Sequence, residues 1–409
     1  MQILRNIGTL VTCRADGGQG EVHVTHDAAL AWNGGGILWA GPSSEMPANM
    51  GTAVMFDAKG GLVVPGLVDC HTHLAFGGWR AEEFEQRCRG ATYQEIAASG
   101  GGIMSTVRAT RAASDDELFS RARRFSEAMT QLGVTTVECK SGYGLTFDDE
   151  LRLLRVYRRL ASEDGVRVVP TLLGAHTVPA DLKGNRQGYI RMLVEELIPA
   201  VAAEKLARFC DVFVDRSAFS VDEARAILKA GAAAGLALKL HADQFADDGG
   251  AALAAEVGAV SADHLEHVSD AGIAALGKAG TVAVSLPIAS LYLRQPPMPA
   301  RRLIEAGVPV AVATDFNPGS APSYHLPLAM TLACTLQGMT PAEALKGATL
   351  YAARAAGVEE RAGSLEPGKR ADFVVIDADS VEQWLYHFRP NACRWTVIGG
   401  LTVWRARGV

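Results

Sequence analysis

The feature of this sequence that most limits its fold is a repeated alternation of short apolar runs with helical stretches. Eight runs have the composition of strands, and amphipathic stretches such as DELRLLRVYRRL and VDEARAILKA lie between most of them. Strands and helices that alternate at this spacing form parallel sheets, and eight such units close into a barrel. The sequence therefore predicts an α/β fold, a (β/α)8 TIM-like barrel. Its predicted strands are GLVVPGLVD (61–69), VTTVEC (134–139), VRVVPTLL (166–173), CDVFV (210–214), LALKL (236–240), VSADHL (260–265), TVAVSL (281–286) and VPVAVAT (308–314).

The two ends of the chain carry a different pattern, in which short strand-like runs are separated by turn residues. GTLVT and GGILWAG lie near the start, and ADFVVIDAD and RWTVIGGLTVWRARG lie near the end. The simplest arrangement joins both ends into one small composite β-sandwich domain. We predict that residues 1–59 and 358–409 form this domain and that residues 60–357 form the barrel.

Two helix starts are marked by local capping signals. Ser114 and Glu117 have the spacing of a capping box, and an apolar stripe follows them. Thr340 and Pro341 mark a second start. Both positions predict the first turn of a helix.

Composition limits the class of partner. The 409 residues are 48% hydrophobic and 21% charged, as in a globular domain with a large core, and the net charge of −6 comes from mixed signs. Such a chain offers no basic face to nucleic acid and no polybasic patch to a membrane. No apolar run reaches the length of a membrane span, and the N-terminus lacks a signal-peptide pattern. Seven scattered cysteines are typical of reduced thiols. We expect a cytoplasmic protein with a small-molecule partner; the oligomeric state stays open, with a homodimer as one arrangement.

Polar side chains follow the predicted strands where each strand ends, and in a barrel these ends meet at one mouth. His71 and His73 end the first strand on one face, His241 ends the fifth and Asp315 ends the eighth. A histidine pair alone is as typical of a hydrogen-bonded surface pair as of a metal site. Imidazole and carboxylate groups from three strand ends, however, make a complete ligand set for zinc or iron. The sequence therefore predicts a metal site at the mouth.

Other polar residues near the strand ends have a structural interpretation beside the functional one. Glu138 and Lys140 have the spacing of a structural ion pair, and Cys70 and Cys139 have that of packing residues. Single histidines after strands are more often structural than ligating. We interpret the following histidines in that way: His267, His325 and His387.

The motifs PGLVDCHTHL, HAD and TDFNPG resemble those of the amidohydrolase superfamily of metal-dependent hydrolases. A longer ordered series is similar to one group of its members, which hydrolyse the cyclic amide C–N bond of 4-imidazolone-5-propanoate to give N-formimidoyl-L-glutamate in histidine degradation. The resemblance runs from about Gly61 through Ala342. The series comprises GGWRAEEFEQRCRGATYQEIAASGGGIMSTVRATR, ECKSGYGL, LLGAHTVP, HADQF, SADHLEH and ATDFNPGSAPS.

The resemblance implies one zinc or iron ion per chain, held by His71, His73, His241 and Asp315. It implies that substrate is bound by Arg80, Tyr143, His176, Gln244, Asn317, Gly319 and Ser320. The catalytic residues that we expect are Asp315, His264 and His176. Some relatives carry glutamate where Gln244 stands, and because a neutral amide can only hydrogen-bond, we assign Gln244 to binding.

Three other functions stay open. Deamination of a purine or another heteroaromatic ring would use the same kind of metal site, although a neutral purine gives Arg80 no carboxylate to bind. A non-catalytic barrel acting as a scaffold would be expected to lack metal ligands, and here the set is complete. A lyase or isomerase on a similar metal barrel is not excluded by spacing.

Overall fold

A computed structural model of the chain describes residues 1–47, 50, 53–91, 95–96, 100–163, 165–387 and 389–407. Part of the segment ATYQEIAASGGG, which contributes to the resemblance, lies outside the described residues, namely 92–94 and 97–99. The described strands are β1 Gln2–Val11, β2 Val24–Asn33, β3 Gly36–Pro42, β4 Val54–Asp57, β5 Leu62–Pro65, β6 Leu67–Thr72, β7 Val134–Lys140, β8 Arg167–Ala175, β9 Phe209–Phe213, β10 Ala237–Ala242, β11 Ser261–His264, β12 Val282–Ser285, β13 Val310–Val312, β14 Phe373–Ile376, β15 Cys393–Ile398 and β16 Leu401–Arg405.

Helices separate most of the strands from β6 to β13 and continue after β13. The described α-helices are α1 Ala81–Cys88, α2 Ile103–Ala112, α3 Asp115–Thr130, α4 Phe147–Ala161, α5 Arg186–Arg191, α6 Ile198–Ala203, α7 Val221–Ala233, α8 Gly250–Glu256, α9 Asp270–Ala279, α10 Pro287–Leu293, α11 Ala300–Glu305, α12 Leu326–Gln337, α13 Pro341–Lys346, α14 Ala352–Ala355 and α15 Val381–Tyr386. Short 3-10 turns span Ser43–Glu45 and Ala180–Asn185, and π-helical turns span Met192–Leu197 and Gly347–Tyr351. Among the described helices, none combines the length and the apolar character needed to cross a lipid bilayer.

The predicted barrel is confirmed. Strands β6 to β13 form one eight-stranded sheet in chain order, and every neighbouring pair is parallel. The end of the first strand is joined to the segment after the last strand by backbone hydrogen bonds, from Asp315 N to His71 O (3.0 Å) and from His73 N to Phe316 O (2.8 Å). The barrel therefore closes at the level of the predicted metal ligands.

The single first strand predicted over residues 61–69 is wrong, because the structure divides it between two sheets at Gly66. Residues Leu62–Pro65 pair with β1 and β14 of the terminal sheet, and only Leu67–Thr72 pairs with β7. A Cβ atom at Gly66 would lie 2.3 Å from Thr135 Oγ1, so the chain can cross at this point only without a side chain. The period of an apolar run is the same in both sheets, which is why the sequence did not reveal the break.

The terminal segments join into one composite β domain, as predicted, and its described strands form a single sheet. Its order is β16-β15-β14-β5-β1-β2-β3, with β4 paired to β1. A separate apolar core lies on this sheet, in which Trp32 packs edge-on against Phe373 with ring centroids 5.1 Å apart. Strand β5 belongs to this sheet although it lies beyond residue 59. The domain boundaries at residues 59 and 357 stay a prediction.

Both predicted helix starts are confirmed by their caps. At the start of α3, the Glu117 backbone N–H donates to Ser114 Oγ (3.3 Å), and the Ser114 backbone N–H donates to Glu117 Oε2 (2.8 Å). The same reciprocal pair joins Thr340 and Glu343 at the start of α13. These bonds satisfy backbone donors that have no partner within the helix.

We predict that Ser114→Ala lowers the free energy of unfolding by about 1 kcal/mol, because the substitution removes this cap. Denaturant titration with an unchanged m-value measures the loss. Ser120→Ala is the matched control, since Ser120 is exposed on the same helix and alanine favours the helical state. An equal loss in both variants would contradict the capping role.

Candidate metal centre and substrate cavity

The four predicted ligands lie together at the carboxyl ends of the barrel strands, and all four are buried. His71 belongs to β6, and His73 follows two residues later on the same face. His241 belongs to β10, and Asp315 follows β13. The Asp315 Oδ1 atom lies 3.4 Å from His71 Nε2 and 3.6 Å from His73 Nε2. The ring centroids of His71 and His241 are 4.6 Å apart.

The nitrogen atoms of two histidines show that this cluster fits a metal ion. His71 Nδ1 donates to Asp263 Oδ2 (2.7 Å), and His241 Nδ1 donates to Asp211 Oδ1 (3.1 Å). Each imidazole is thereby oriented, and each Nε2 atom is buried without a hydrogen bond within the described part of the chain, His71 Nε2 having the 3.4 Å contact with Asp315 alone. Buried polar atoms left unpaired are costly, and a metal ion would satisfy these two. His71, His73 and Asp315 together have ligand atoms within 4.8 Å of one another.

His264 belongs to the same cluster. The sequence predicted a catalytic role for this residue and did not include it among the possible metal ligands. His71, His241 and His264 form a second group with ligand atoms within 4.8 Å of one another. The His264 backbone has a φ of 82°, and that of Asp315 has a φ of 55°, conformations that L-residues seldom adopt. Strain of this kind collects where a side chain must point in one direction. The geometry therefore admits His264 as a ligand as well as a proton donor.

The ionisation of Asp315 and His241 suits metal binding, whereas burial would lower the pKa of His71 but contact with the Asp263 and Asp315 carboxylates outweighs burial and raises this pKa. Burial would raise the pKa of Asp315, but the imidazoles of His71 and His73 outweigh it and hold this pKa well below the usual range. Burial lowers the pKa of His241 to about 4. At neutral pH the Asp315 carboxylate is therefore charged and the His241 imidazole is neutral, which are the forms that bind a cation.

A buried charge cluster lies behind the histidines. The Lys140 ammonium contacts Glu138 (2.8 Å), Asp211 (2.7 Å) and Asp263 (3.3 Å), and Lys239 pairs with the second oxygen of Glu138. The predicted ion pair between Glu138 and Lys140 is therefore confirmed. Asp211, Asp263 and Lys239 were missed in the sequence, although a charged residue inside an apolar strand is a recognisable signal.

A cavity that is open to solvent extends from the histidines towards α1. Its described lining includes all the predicted substrate residues, namely Arg80, Tyr143, His176, Gln244, Asn317, Gly319 and Ser320. It also includes His73, His241, His264 and Asp315. The structure thus brings the predicted binding residues together, and their individual roles stay predictions.

The Arg80 side chain lies against the backbone of Gly319. A Cβ atom at Gly319 would lie 1.0 Å from Arg80 Nη2, so only glycine leaves room for the guanidinium group. Arg80 lies 3.8 Å from Glu83, and its buried Nε atom has no hydrogen-bond partner among the residues that the structure describes. The Gly319 carbonyl is in turn held by Arg87 Nη2 (3.1 Å). Arg80 is therefore a positioned cation that lines the cavity and has an unused donor.

Tyr143 and His176 are both positioned by the loop after β7. The buried Glu150 carboxylate accepts the backbone N–H groups of Gly142 (3.0 Å), Gly144 (2.8 Å) and Leu145 (2.8 Å). The Gly142 carbonyl accepts His176 Nδ1 (3.1 Å), which leaves Nε2 of that ring as an acceptor. Burial, with the nearby His73 and His241, lowers the pKa of His176 well below its usual value. His176 is therefore neutral at pH 7.

Asn317 fixes the loop after β13. Its side-chain amide donates to Asp315 O (2.7 Å) and Ser320 Oγ (2.9 Å), and its Oδ1 accepts the N–H groups of Gly319 and Ser320 (both 2.8 Å). Asn317 is thus committed to holding Asp315 and Gly319 in place. The structure supports a positioning role for Asn317 in addition to its predicted contact with substrate.

Two of the histidines interpreted as structural have protein partners. His267 Nε2 lies 3.3 Å from Gln295 Oε1, and His325 Nε2 donates to Pro390 O (2.7 Å). Cys70 and Cys139 are completely buried in the core, as their packing interpretation requires.

Comparison with known proteins agrees with this geometry. Residues 62–403 match the amidohydrolase family. The chain is 47% identical over 379 residues to an imidazolonepropionase of Shewanella baltica, covering 92% of this chain and 93% of that protein. It is 50% identical over 389 residues to an imidazolonepropionase of Symbiobacterium thermophilum, covering 93% and 92%.

Solved structures share the fold at low sequence identity. An adenosine deaminase from Xanthomonas campestris with bound zinc matches 98% of this chain and 92% of its own, with a TM-score of 0.73 and 19% identity. A guanine deaminase from C. acetobutylicum matches 98% of this chain and its own entire length, with a TM-score of 0.72 and 16% identity. At such identities the match establishes the architecture only.

We predict that zinc stabilises the metal-free protein by about 2.7 kcal/mol at a free concentration 100 times its Kd. Thermal unfolding with and without zinc measures the effect as a rise in Tm. His241→Ala is expected to lose most of this rise because it removes one predicted ligand, whereas His267→Ala, which is not among the residues that line the cavity, retains it. A full rise in the His241 variant would contradict the ligand set.

Proposed function

The chain belongs to the amidohydrolase family, and on that premise we propose that it acts as an imidazolonepropionase, hydrolysing 4-imidazolone-5-propanoate to N-formimidoyl-L-glutamate. One observation carries the proposal: the histidine cluster and the Arg80 guanidinium group line the same cavity. In a cyclic amide with a carboxylate tail, the amide suits the histidine cluster and the carboxylate suits the guanidinium group. The relatives that bear this name cover more than nine-tenths of the chain.

We propose that Arg80 binds the propionate tail of the substrate. The Arg80 side chain is only 9% exposed, and a charge-assisted hydrogen bond is strong where water is largely excluded. Tyr143, which also lines the cavity, would add a hydroxyl contact, and Gln244 and the neutral His176 would hydrogen-bond the ring. These contacts orient the ring carbonyl towards the histidine cluster.

The proposed cofactor is one zinc or iron ion per chain, held by His71, His73, His241 and Asp315. When bound, such an ion acidifies water and polarises a carbonyl oxygen. In the proposed reaction, Asp315 accepts a proton from the attacking water and delivers it to the ring nitrogen as the carbon–nitrogen bond breaks. His264 donates a hydrogen bond to the oxygen that gains charge, with His176 assisting or holding the ring. One water is consumed as the amide bond breaks. The carbonyl carbon becomes a carboxylate, and the former ring nitrogen becomes an N–H group. A homodimer stays a prediction.

Incubation of the metal-loaded protein with 4-imidazolone-5-propanoate tests the function. Loss of the substrate's ultraviolet absorbance and a product one water heavier, identified by mass as N-formimidoyl-L-glutamate, are expected. Asp315→Asn should show no turnover, because it removes the proton acceptor. Absence of turnover by the parent protein, or release of ammonia from a purine, would refute the assignment.

We predict that Arg80→Ala and Gly319→Ala both raise KM for this substrate by about 10- to 100-fold, the value of a charge-assisted hydrogen bond. The first removes the guanidinium group, and the second displaces it through the added Cβ. Metal content should stay that of the parent in both. Gly18→Ala is the control, because its Cβ meets open space. An unchanged KM in Arg80→Ala would exclude the tail contact.

A further inference from the structure

Lys140 lies behind the histidine cluster and contacts the hydrogen-bond partners of two ligands at once. We propose that Lys140 is a positioning residue that couples His71 to His241, so that the protein's affinity for metal depends on an ammonium group that touches neither ligand. The inference rests on the proposed metal site but not on the identity of the substrate. A metal-binding measurement therefore tests it separately from turnover.

The coupling follows from the contacts of the two aspartates. Lys140 Nζ lies 2.7 Å from Asp211 Oδ2, and the other oxygen of Asp211 accepts His241 Nδ1 (3.1 Å). Lys140 Nζ also lies 3.3 Å from Asp263 Oδ2, the same oxygen that accepts His71 Nδ1 (2.7 Å). One ammonium group is thus two contacts away from each of two imidazoles that stand on different strands, β6 and β10.

The contacts of the cluster single out Lys140, although the charge of Lys239 also acts on Asp263. Glu138, Asp211 and Asp263 are three carboxylates with fully buried side chains. Lys239 also lies completely buried, but it pairs with Glu138 and donates to backbone carbonyls. Within the described chain, Lys140 is the one lysine or arginine within 4.0 Å of Asp211 or Asp263. Without it, two buried carboxylates would lose their contacting counter-charge.

The physical consequence concerns orientation. A carboxylate held by an ammonium group on one side accepts the imidazole N–H from a fixed direction on the other. If the ammonium group is removed, Asp211 and Asp263 repel each other across the barrel and move towards other donors. Both imidazoles then lose their fixed orientation, and both Nε2 atoms are displaced from the position that binds a metal.

Lys239 provides the matched control. It is the same residue type in the same cluster with the same complete burial, and its carboxylate contact is Glu138 alone. Lys140→Met and Lys239→Met therefore remove equal charge and equal hydrogen-bonding capacity from the barrel interior. Only the first removes the link between the two histidine partners.

The test is the zinc Kd of each metal-free variant, measured by competition with a chelator of known affinity. Lys140→Met is expected to raise the Kd by about 10- to 100-fold, the range found for residues that orient metal ligands. Lys239→Met is expected to raise it by much less, because the carboxylate that Lys239 contacts is Glu138 and not Asp211 or Asp263. An equal rise in both variants would show that net charge alone matters and would overturn the proposal.

A second measurement does not require a Lys140 variant to fold. Asp211→Asn, Asp263→Asn and the double variant retain Lys140 and keep an oxygen acceptor for each imidazole. Because the shared ammonium group couples the two sides, each single substitution should disturb both histidines. The fold-change in zinc Kd of the double variant should then differ from the product of the two single fold-changes by about fivefold or more. Additive effects within about twofold would show independent ligands and would contradict the proposal.

Discussion

The closure of the barrel is the constraint on which the rest of this structure depends. Two backbone hydrogen bonds join β6 to the segment after β13, and they involve His71, His73, Asp315 and Phe316 themselves. Residues separated by more than 240 positions in the chain are thereby placed within 4 Å of one another. The cluster of histidines and Asp315 is therefore a direct product of closing the sheet, and a displacement of either strand would separate the histidines of the first strand from Asp315.

The barrel interior beneath the cluster orients the histidine side chains at a cost in folding stability. Two lysines and three carboxylates are buried where apolar side chains would pack at lower cost. Each carboxylate has a specific partner, and two of the three partner a histidine at the mouth. On the substrate side, Glu150 similarly uses a buried carboxylate to hold three backbone N–H groups of the Tyr143 loop. Around the site, buried charge lies next to the groups that must point in one direction.

The sequence predicted the barrel, the composite terminal sheet and the residues at the mouth, because each depends on a local pattern. Strand–helix alternation gives the barrel, and the strand ends identify His71, His241 and Asp315. The break at Gly66 was missed because the apolar period continues across it. The partners of the histidines were missed for another reason: Asp263 lies 192 positions from His71, and no local signal names a contact partner. The close approach of Arg80 to Gly319 likewise exists only in three dimensions.

The central claim is that His71, His73, His241 and Asp315 hold one metal ion, with His264 available for chemistry. Anomalous X-ray diffraction from crystals of the zinc-loaded protein, collected on both sides of the zinc edge, tests it most directly. We predict one anomalous peak per chain within bonding distance of those four residues. A peak bound instead by His71, His241 and His264, the second group whose ligand atoms lie within 4.8 Å of one another, would contradict the account.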